Sequence, residues 1–499
     1  MMRFQKRHIL PVISFVALVT VMGLLSVHNL SSIFQDIGRH ITIGRIIWET
    51  HQVPKTNLFS YTARDFPFLN HHWFGEVLLY LGDRVVGLKG LLIINAFLVT
   101  LGYGLALAAA WRPRVAVPAL MVGLLAAVIT MERTDLRPET LSLLFFGWYL
   151  FVLYRKPRSW LLWTLPAVQL VWVNTHIYFF MGPFLFVAWW LGEIAQRGVV
   201  ALRGRRYWLL AILIALATFC NPWGLVGAIY PLRVFSNYGY SVLENKSPFF
   251  LARFGYPQMT SVALYLGIVC TALSFAINWR HLRRNIFGLI VAAVTAAFAL
   301  IMIRNFPLFA LAMMPIVLTN IDQAGWHSSN RQGLVIGLVL LALFASSIVS
   351  GQIYRDSGMV WRQFGLAVPS GAGKSTDFFR QAGLKGPIFN NFDVGSFLIW
   401  KLPQEPVFID GRPEAYPADF IQNIYIKMQE DPAVWDRYSA QYGINTIFWD
   451  YNDVTPWSGE FVSRITKDPH WIAVYRDGTI LILVRNAPAN SAVIAKYRL

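Results

Sequence analysis

The 499-residue chain has few charged residues and very few cysteines. Charged side chains make up 14% of the sequence, whereas a soluble domain carries about 25%. The two cysteines are too few for a disulfide framework, and they form no CxxC pair that would indicate a structural metal site. Hydrophobic residues make up 56% of the chain and aromatic residues 15%. This composition predicts a polytopic membrane protein.

Acidic residues are scarce as well, with 26 against 43 basic residues and a net charge of +17. In a soluble protein such an excess suggests binding to nucleic acid. Here most Lys and Arg residues before the C-terminal region lie in short loops between apolar runs, so membrane orientation explains them better. No nucleic-acid partner is therefore expected. Basic residues facing anionic lipid phosphates are a second use of this charge.

The apolar runs predict eleven membrane spans, each of which needs about 20 residues. The first apolar run follows basic residues, as in a signal peptide. The segment SVHNLSS after it is a poor cleavage site, so we expect this helix to be retained. The run at 72–87 is interrupted by Glu76, Asp83 and Arg84, and we expect a helix at the membrane surface. The predicted spans are 8–29, 90–111, 115–131, 138–154, 159–175, 177–196, 207–226, 258–278, 286–303, 305–320 and 333–353.

The basic loops predict the orientation of these spans. With the N-terminus in the cytoplasm, almost every basic cluster falls in an inner loop, as the positive-inside rule requires. An odd number of spans then places the C-terminus outside. Polar motifs far apart in sequence converge on the outer face, which is the strongest functional indication in the sequence. They are the first loop at 30–89, ERTDLRPE at 132–139, NTH at 174–176, the loop at 221–257, Arg304-Asn305 and everything after Tyr354.

From about residue 355 the sequence is typical of a soluble α/β domain. Short strands are predicted at 387–390, 406–410, 446–450, 471–477 and 479–485. Helices are predicted near 374–383, 417–429, 431–441 and 457–467, and Asp477-Gly478 indicates a hairpin turn. The predicted architecture is an α-helical polytopic membrane domain at 1–354, followed by an extracytoplasmic α/β domain at 355–499.

The loop after the first span is polar and aromatic. Asp36 and His40 would share one face of a helix at i, i+4 spacing, where an acid and an imidazole together can perform base chemistry. A helix cap with a local hydrogen bond is the alternative. His71, His72 and Glu76 are possible ligands of a divalent metal. Adjacent histidines point in different directions on a helix, which favours a role in surface anchoring instead.

The ERTDLRPE loop places Arg133, Asp135 and Arg137 between two predicted spans. One interpretation is a salt-bridged loop with helix caps, because charges in membrane proteins sit at interfaces by default. The other is that the arginines bind a phosphate with their forked donors. Arg304 stands alone between two apolar runs and has the same two interpretations. His176 of the NTH motif is a further candidate for substrate binding on this face.

The segment SGAGKST at 370–376 partly matches a phosphate-binding loop. That motif needs a glycine where this chain has Val368, and no strong strand precedes it. We therefore expect the start of a helix with a Ser or Thr cap and no bound nucleotide.

FIDGRPEAYP at 408–417 places Asp410, Arg412 and Glu414 at the end of a predicted strand. Ligand sites of α/β sheets favour that edge, so Asp410 and Arg412 in particular are candidates for binding a substrate. A buried Asp–Arg pair that fixes the turn is the alternative.

These residues together resemble the GT-C superfamily of membrane glycosyltransferases, which includes protein O-mannosyltransferases and the aminoarabinose transferase of lipid A. The resemblance rests on Asp36 after the first helix, Asp135 in a second outer loop, and an external domain after many spans. A bacterial group linked to such enzymes is more closely similar, over nearly the whole chain. The shared motifs are DIGRHITIGR, VPKTNLFSYT, HHWFGEVLLY, RPETLSLL, NPWG, RNFPLFAL and GPIFNNFDVGSFLIW…VFIDGRPEAY.

The resemblance implies an inverting glycosyltransferase of the hexosyltransferase type in the bacterial inner membrane. Its donor would be a polyprenyl-phosphate-linked sugar and its acceptor a lipid, glycan or protein outside the cytoplasm. Asp36 and Asp135 take the places of the family's catalytic acids, although Asp36 is a single acid where the family has a pair, which leaves a divalent metal as an open question. Residues expected to bind substrate or phosphate are His40, His71, His72, Glu76, Arg133, Arg137, His176, Arg304, Asp410 and Arg412.

Two other classes of function compete with this one. A transporter would place ionisable groups near the middle of the membrane, in broken helices of two repeats, whereas the charges of this chain collect at one face. A non-catalytic assembly or binding protein would use the external domain as a binding module, and its function would not depend on Asp36.

Overall fold

The computed structural model describes residues 2–30, 36–157, 159–235, 238–240, 242–256, 258–368 and 371–499. Residues 31–35 of the predicted first loop and Ser370 of the SGAGKST segment lie outside this part. The chain packs as two compact units. The first contains 1–30, 86–232 and 242–367, and the second contains 31–85, 233–241 and 368–499. Most of the predicted first loop thus belongs to the same unit as the C-terminal region.

The first unit is almost entirely helical. Its α-helices are Met2–Ser26, Trp73–Ala110 (which begins in the second unit), Ala116–Thr130, Glu139–Arg155, Thr164–Trp172, Met181–Arg197, Arg205–Phe219, Leu225–Ile229, Pro248–Ala252, Met259–Ile277, Ile286–Ile301, Phe306–Gln323, Arg331–Val349 and Gln352–Asp356. Short 3-10 segments lie at Pro113–Val115, Met131–Arg133, Trp160–Trp163, Ile177–Phe180, Gly198–Arg203, Tyr230–Phe235, Leu243–Asn245, Trp279–Asn285 and Ile303–Asn305.

The helix Trp73–Ala110 is interrupted at Gly87, whose φ of 67° and ψ of 177° are not helical. A positive φ is accessible to glycine because it has no Cβ. The break lies where the predicted surface helix at 72–87 ends and the predicted span at 90–111 begins.

The chain is a multi-pass membrane protein. Three of the eleven predicted spans coincide with shorter helices, Glu139–Arg155, Trp160–Trp172 and Arg205–Phe219, so the number eleven stays a prediction. Within the described residues, eight helical segments are long and apolar enough to cross a membrane. They are Ile9–Ser26, Trp73–Ala110, Pro113–Arg133, Ile177–Arg203, Met259–Ile277, Trp279–Ile301, Ile303–Gln323 and Arg331–Val349.

The helix Phe306–Gln323 is the centre of the first unit. It packs against Ala116–Thr130, Glu139–Arg155, Met259–Ile277 and Ile286–Ile301, and most of its side chains are buried. The helix Arg331–Val349 is the opposite case, because only Leu334, Leu341 and Ile348 are buried. Its remaining apolar side chains need a nonpolar surrounding, which the hydrocarbon core of a bilayer supplies.

The second unit is built around a mixed four-stranded sheet with the strand order β1-β2-β4-β3. The strands are β1 (Ile388–Asn390), β2 (Thr446–Asp450), β3 (Trp471–Arg476) and β4 (Ile480–Arg485). β1 and β2 are parallel, whereas β4 is antiparallel to both β2 and β3. The predicted turn at Asp477-Gly478 joins β3 to β4.

Helices surround this sheet. Of the predicted helices, 374–383, 431–441 and 457–467 are confirmed, and 417–429 is a short π-helical segment followed by an α-helix. The segment at 371–376 begins an ordinary helix. The α-helices are Ile37–Thr50, Gly371–Gln381, Phe392–Lys401, Ile426–Glu430, Pro432–Gln441, Ser458–Ile465 and Ser491–Tyr497, with the π-helical Phe420–Tyr425 and the 3-10 segments Pro413–Ala415 and Pro488–Asn490.

Both faces of the sheet are buried. Successive side chains of a strand point to opposite faces, so Ile447 and Trp449 of β2 join one apolar cluster and Phe448 joins another. Ala63 and Phe68 belong to the first of these clusters. The segment after the first span is therefore part of the hydrophobic core of the second unit.

The predicted strand at 406–410 is wrong. Val407 forms only an isolated bridge with Ser60. The N–H of Phe408 donates to the side chain of Asn390 at 3.0 Å, and its carbonyl accepts from the hydroxyls of Ser60 and Thr62 at 3.2 and 2.6 Å. Because side chains take these backbone groups, no regular ladder forms. The Asp-Gly-Arg turn consequently follows an irregular segment and not a sheet strand.

Candidate functional site

Asp36 lies at the start of the helix Ile37–Thr50 and does not cap it, because its side chain makes no capping hydrogen bond. One carboxylate oxygen, Oδ1, is 3.0 Å from Nη2 of Arg39 and accepts a hydrogen bond from the Ser396 hydroxyl at 3.1 Å. The side chain remains 30% exposed. A cation and a hydroxyl thus fix an acid that solvent can still reach.

His40 pairs with a different acid, Glu76. Its Nδ1 is 2.8 Å from Oε1 of Glu76, while Asn70 donates to the other oxygen, Oε2, at 2.5 Å. Burial lowers the pKa of His40, and the positive charge of Arg39 adds to this, although Glu76 and Asp36 oppose it. The acid predicted to act with this imidazole is Asp36, whereas the hydrogen-bonded partner of His40 is Glu76.

The two adjacent histidines lie beside this pair. The ring centroids of His71 and His72 are 3.9 Å apart, and those of His40 and His72 are 5.5 Å apart. Among the described residues, no group of three or more His, Cys, Asp or Glu side chains is arranged to hold a metal ion. The donor set also fits a metal poorly, because Arg39 pairs with Asp36, and Glu76 is bonded to His40 and Asn70.

Asp410 and Arg412 form a buried, doubly hydrogen-bonded pair, with both N–H to oxygen distances at 2.7 Å. The Tyr416 hydroxyl donates to Asp410 at 2.8 Å, and Arg412 donates to Asn57 at 3.1 Å. This geometry is that of the alternative interpretation, in which a buried Asp–Arg pair fixes the turn. Asn57 ties that turn to the segment after the first span.

Gly411, between these two residues, faces Asp36. A methyl group placed on Gly411 would lie 2.8 Å from Oδ1 of Asp36 and 3.2 Å from the Ser396 hydroxyl. Glycine is therefore the residue that lets the turn approach the carboxylate this closely. The second unit thus brings the predicted catalytic acid and the Asp-Gly-Arg turn into contact.

The first unit contains a network of three arginines and two glutamates. Oε2 of Glu244 accepts hydrogen bonds from Arg133 at 2.6 Å and Arg137 at 2.8 Å. Nη1 of Arg304 is 3.9 Å from the other oxygen of Glu244, and Arg133 also pairs with Glu139. Burial raises the pKa of Glu244, but the three arginines outweigh it and hold that pKa well below its usual range. The network thus brings three guanidinium groups together with only two carboxyl side chains.

Asp135 belongs to another ion pair of the first unit. Its Oδ2 accepts from Arg362 at 2.8 Å, and Nε2 of His28 is 3.8 Å from Oδ1. Arg362 also donates to the backbone carbonyls of Glu132, at 2.9 Å, and Met131. Asp135 and Arg362 together therefore fix the ERTDLRPE loop, in which Arg133 and Arg137 lie.

His176 is a buried residue that begins a short helical segment. Its Nδ1 is 2.9 Å from the hydroxyl of Ser142 and accepts from the N–H of Tyr178 at 3.4 Å. Trp172 donates to the same hydroxyl at 2.8 Å. These contacts give His176 a local structural role.

The predicted site residues thus fall into two sets. Asp36, His40, His71, His72, Glu76, Asp410 and Arg412 are in the second unit, and Arg133, Asp135, Arg137, His176 and Arg304 are in the first. The sequence prediction missed Arg39, Ser396, Glu244 and Arg362. Arg39 could have been found from its i, i+3 spacing to Asp36, and Glu244 is the only acidic residue of the loop at 221–257. Ser396 and Arg362 carry no comparable signal.

The fold is similar to that of solved membrane glycosyltransferases. The archaeal oligosaccharyltransferase AglB from Archaeoglobus fulgidus, in complex with an inhibitory peptide and a dolichol-phosphate, has a TM-score of 0.55 and 11% identity, covering 95% of this chain and 74% of that one. A complex of the Archaeoglobus fulgidus oligosaccharyltransferase with Zn and sulfate has a TM-score of 0.55 and 11% identity, and the match covers 95% of this chain and 73% of that one. ArnT from Cupriavidus metallidurans, bound to undecaprenyl phosphate, has a TM-score of 0.52 and 14% identity. The match covers 96% of this chain and 98% of that one.

AglB and ArnT are GT-C glycosyltransferases, so the fold that the resemblance implies is confirmed. No protein-family model and no curated protein matches the sequence. At 11–14% identity the likeness is one of fold. The chemistry must therefore be argued from the residues of this chain.

The buried His28 predicts a pH-dependent stability. Burial, with a further effect of Arg362, lowers its pKa to about 4, whereas an unfolded histidine has a pKa of about 6.5. Between these values the unfolded state binds more protons, so stability falls as the pH falls through this window. When the pH falls from 7 to 5, we expect the free energy of unfolding of the wild type to decrease by about 2 kcal/mol more than that of His28→Gln.

Melting temperatures measured across this pH range test the expectation. His470, whose side chain is 81% exposed, provides the control, and His470→Gln should follow the wild type. An identical pH dependence of His28→Gln and the wild type would contradict the effect.

Proposed function

We propose that the chain is a membrane glycosyltransferase, of the inverting hexosyltransferase type, that uses a polyprenyl-phosphate-linked sugar. Its acceptor would lie outside the cytoplasm. The observation that carries this proposal is the partly exposed carboxylate of Asp36, held by Arg39 and Ser396 at the position where the resemblance expects a catalytic acid. Its fold is also similar to that of proteins solved with dolichol-phosphate and undecaprenyl phosphate, which supports this class of donor.

Asp36 is proposed to act on the acceptor. An acceptor hydroxyl transfers its proton to the carboxylate while its oxygen attacks the anomeric carbon of the sugar. The bond from that carbon to the phosphate oxygen breaks, and its electron pair leaves with the lipid phosphate. Attack from the side opposite the phosphate inverts the anomeric centre. Arg39 and Ser396 are positioning residues that hold the carboxylate for this step.

The phosphate is assigned to the arginines of the first unit. Forked guanidinium donors suit phosphate oxygens, and donors fixed in advance stabilise the charge that develops on a leaving group. Arg133, Arg137 and Arg304 supply such donors. Asp135 is proposed to act through Arg362, by holding the loop that carries Arg133 and Arg137. The remaining predicted residues are proposed as positioning residues: His40, His71, His72, Glu76, His176, Asp410 and Arg412.

The proposed location is the bacterial inner membrane, with the N-terminus in the cytoplasm and the C-terminal domain outside it. This orientation follows from the basic loops. It would also place the second unit on the side where polyprenyl-linked sugars meet their acceptors.

The first test of this proposal replaces Asp36. We expect Asp36→Asn to abolish sugar transfer and leave the amount of protein near normal, because the change removes a charge but little volume. The assay incubates membranes with a panel of labelled polyprenyl-phosphate sugars and measures the label transferred to acceptors. Asp65→Asn is the matched control, because Asp65 is an exposed residue with a φ of 65°, a conformation that Asn also tolerates. Wild-type turnover by Asp36→Asn would favour a non-catalytic binding protein.

A second test moves the acid without removing it. In Gly411→Ala the new methyl group would meet Oδ1 of Asp36, which lies at the end of a side chain that can rotate away. We expect transfer to fall about 100-fold, the effect of a displacement of about 1 Å, with a change in melting temperature of only a few degrees. Gly459→Ala is the control, because a methyl group on Gly459 would have no atom of the described residues within 4 Å. Full activity of Gly411→Ala would show that this contact does not orient Asp36 for transfer.

The orientation can be tested by cysteine labelling in intact cells. Asn57 is buried, but its neighbour Leu58 is 47% exposed, and Val454 is 88% exposed. In a background of Cys220→Ser and Cys270→Ser, a membrane-impermeant thiol reagent should label Leu58→Cys and Val454→Cys. Val199→Cys, in a predicted inner loop and 67% exposed, should stay protected. Protection of both outer positions would overturn the predicted orientation.

A further inference from the structure

Glu244 occupies the place of an anion among the three arginines of the first unit. It lies on the short turn Leu243–Asn245. Arg133 and Arg137 both donate to the same oxygen of Glu244, at 2.6 and 2.8 Å, and Arg304 approaches the other oxygen at 3.9 Å. Carboxylates and phosphates accept hydrogen bonds from guanidinium groups in similar geometries. The carboxylate therefore takes contacts that a phosphate could make.

The arginines have more donors than Glu244 satisfies. The Nε atoms of Arg133 and Arg304 are buried and have no hydrogen-bond partner among the described residues, and the Arg133 side chain is only 9% exposed. A buried donor without an acceptor is unfavourable. A phosphate group offers more acceptor oxygens than the two of a carboxylate. A phosphate could thus satisfy this cluster more fully than Glu244 does.

The attachment of the turn permits an exchange. Beyond its carboxylate, the turn is held by Asn245, which accepts from Arg304 at 3.0 Å, and by the carbonyl of Lys246, which accepts from the N–H of Ile303 at 3.0 Å. Leu243, on the other side of Glu244, is 53% exposed. Rotation of the Glu244 side chain away from the arginines would leave the Lys246 contact in place.

We propose that Glu244 is an internal substitute for the donor phosphate, which neutralises the arginines until a lipid phosphate displaces it. This proposal rests on the assignment of the arginines to the phosphate in the proposed function. Without Glu244, Arg133, Arg137 and Arg304 would repel one another while the site is empty. Competition from Glu244 also weakens the binding of the product, a polyprenyl phosphate, and so promotes its release.

Binding of undecaprenyl phosphate to the full chain in lipid nanodiscs tests this proposal. We expect Glu244→Gln to bind about tenfold more tightly than the wild type, because the competing charge is gone, a change that corresponds to about 1.4 kcal/mol. Arg133→Gln should bind about tenfold more weakly. Asp322→Asn controls for net charge, because it removes a carboxylate from a different arginine pair, Arg112 and Arg114, and its affinity should equal that of the wild type.

The outcomes separate this proposal from the proposed function. If Arg133→Gln binds like the wild type, the phosphate assignment itself fails. If Arg133→Gln binds weakly and a folded Glu244→Gln binds no more tightly than the wild type, only the role of Glu244 fails. Undecaprenol, which lacks the phosphate, should bind all variants alike.

A second measurement follows the displacement directly, with Glu244 in place. Leu243→Cys, in the background of Cys220→Ser and Cys270→Ser, should react faster with a thiol reagent when undecaprenyl phosphate is present. Undecaprenol should have no effect, and an unchanged rate with undecaprenyl phosphate would overturn the displacement. Phosphatidylglycerol provides the last comparison. If phosphatidylglycerol accelerated the thiol reaction equally, the ligand would not be the donor lipid, and the arginines would form a site for phospholipid headgroups.

Discussion

Both candidate sites depend on one constraint, which is that charges removed from water must be paired. An isolated buried charge is strongly unfavourable, so buried charges in proteins are paired or carry hydrogen bonds. In this chain three pairs meet this requirement. Asp410 with Arg412, His40 with Glu76 and Asp135 with Arg362 are all pairs with little exposure to solvent. Each pair joins segments that would otherwise be free to move, or fixes the turn on which it lies.

The completeness of the pairing distinguishes structural contacts from sites that can bind a ligand. The carboxylate of Asp410 accepts from both Arg412 and Tyr416 and has no exposed surface, so it has no access to a substrate. Asp36 is different, because its side chain is 30% exposed. The arginine network is different as well, because the Nε atoms of Arg133 and Arg304 find no acceptor in the part of the chain that the structure describes. Incomplete pairing at a buried position is unfavourable for folding alone, and this supports a functional interpretation.

Much of the architecture could be predicted from the sequence because it depends on local patterns. Long apolar runs indicate the membrane helices, and short runs rich in β-branched and aromatic residues indicate the strands of the second unit. The prediction of a strand at 406–410 is wrong because the backbone groups of Phe408 bond to the side chains of Asn390, Ser60 and Thr62. No periodicity in the sequence reveals such contacts. The ion pairs could not be predicted either. Arg362 lies 227 positions from Asp135, and Glu244 lies 111 positions from Arg133.

The C-terminal region contributes directly to the surroundings of Asp36. In the structure, Ser396 donates to Asp36 and Gly411 approaches it, while Ala63 and Phe68 of the first loop lie in the core beside the sheet. Two segments of the C-terminal region, at Ser396 and at Gly411, therefore adjoin this carboxylate. If Asp36 is the acid that activates the acceptor, the C-terminal region is part of the catalytic apparatus, because Ser396 donates to that acid and the turn at Gly411 lies against it.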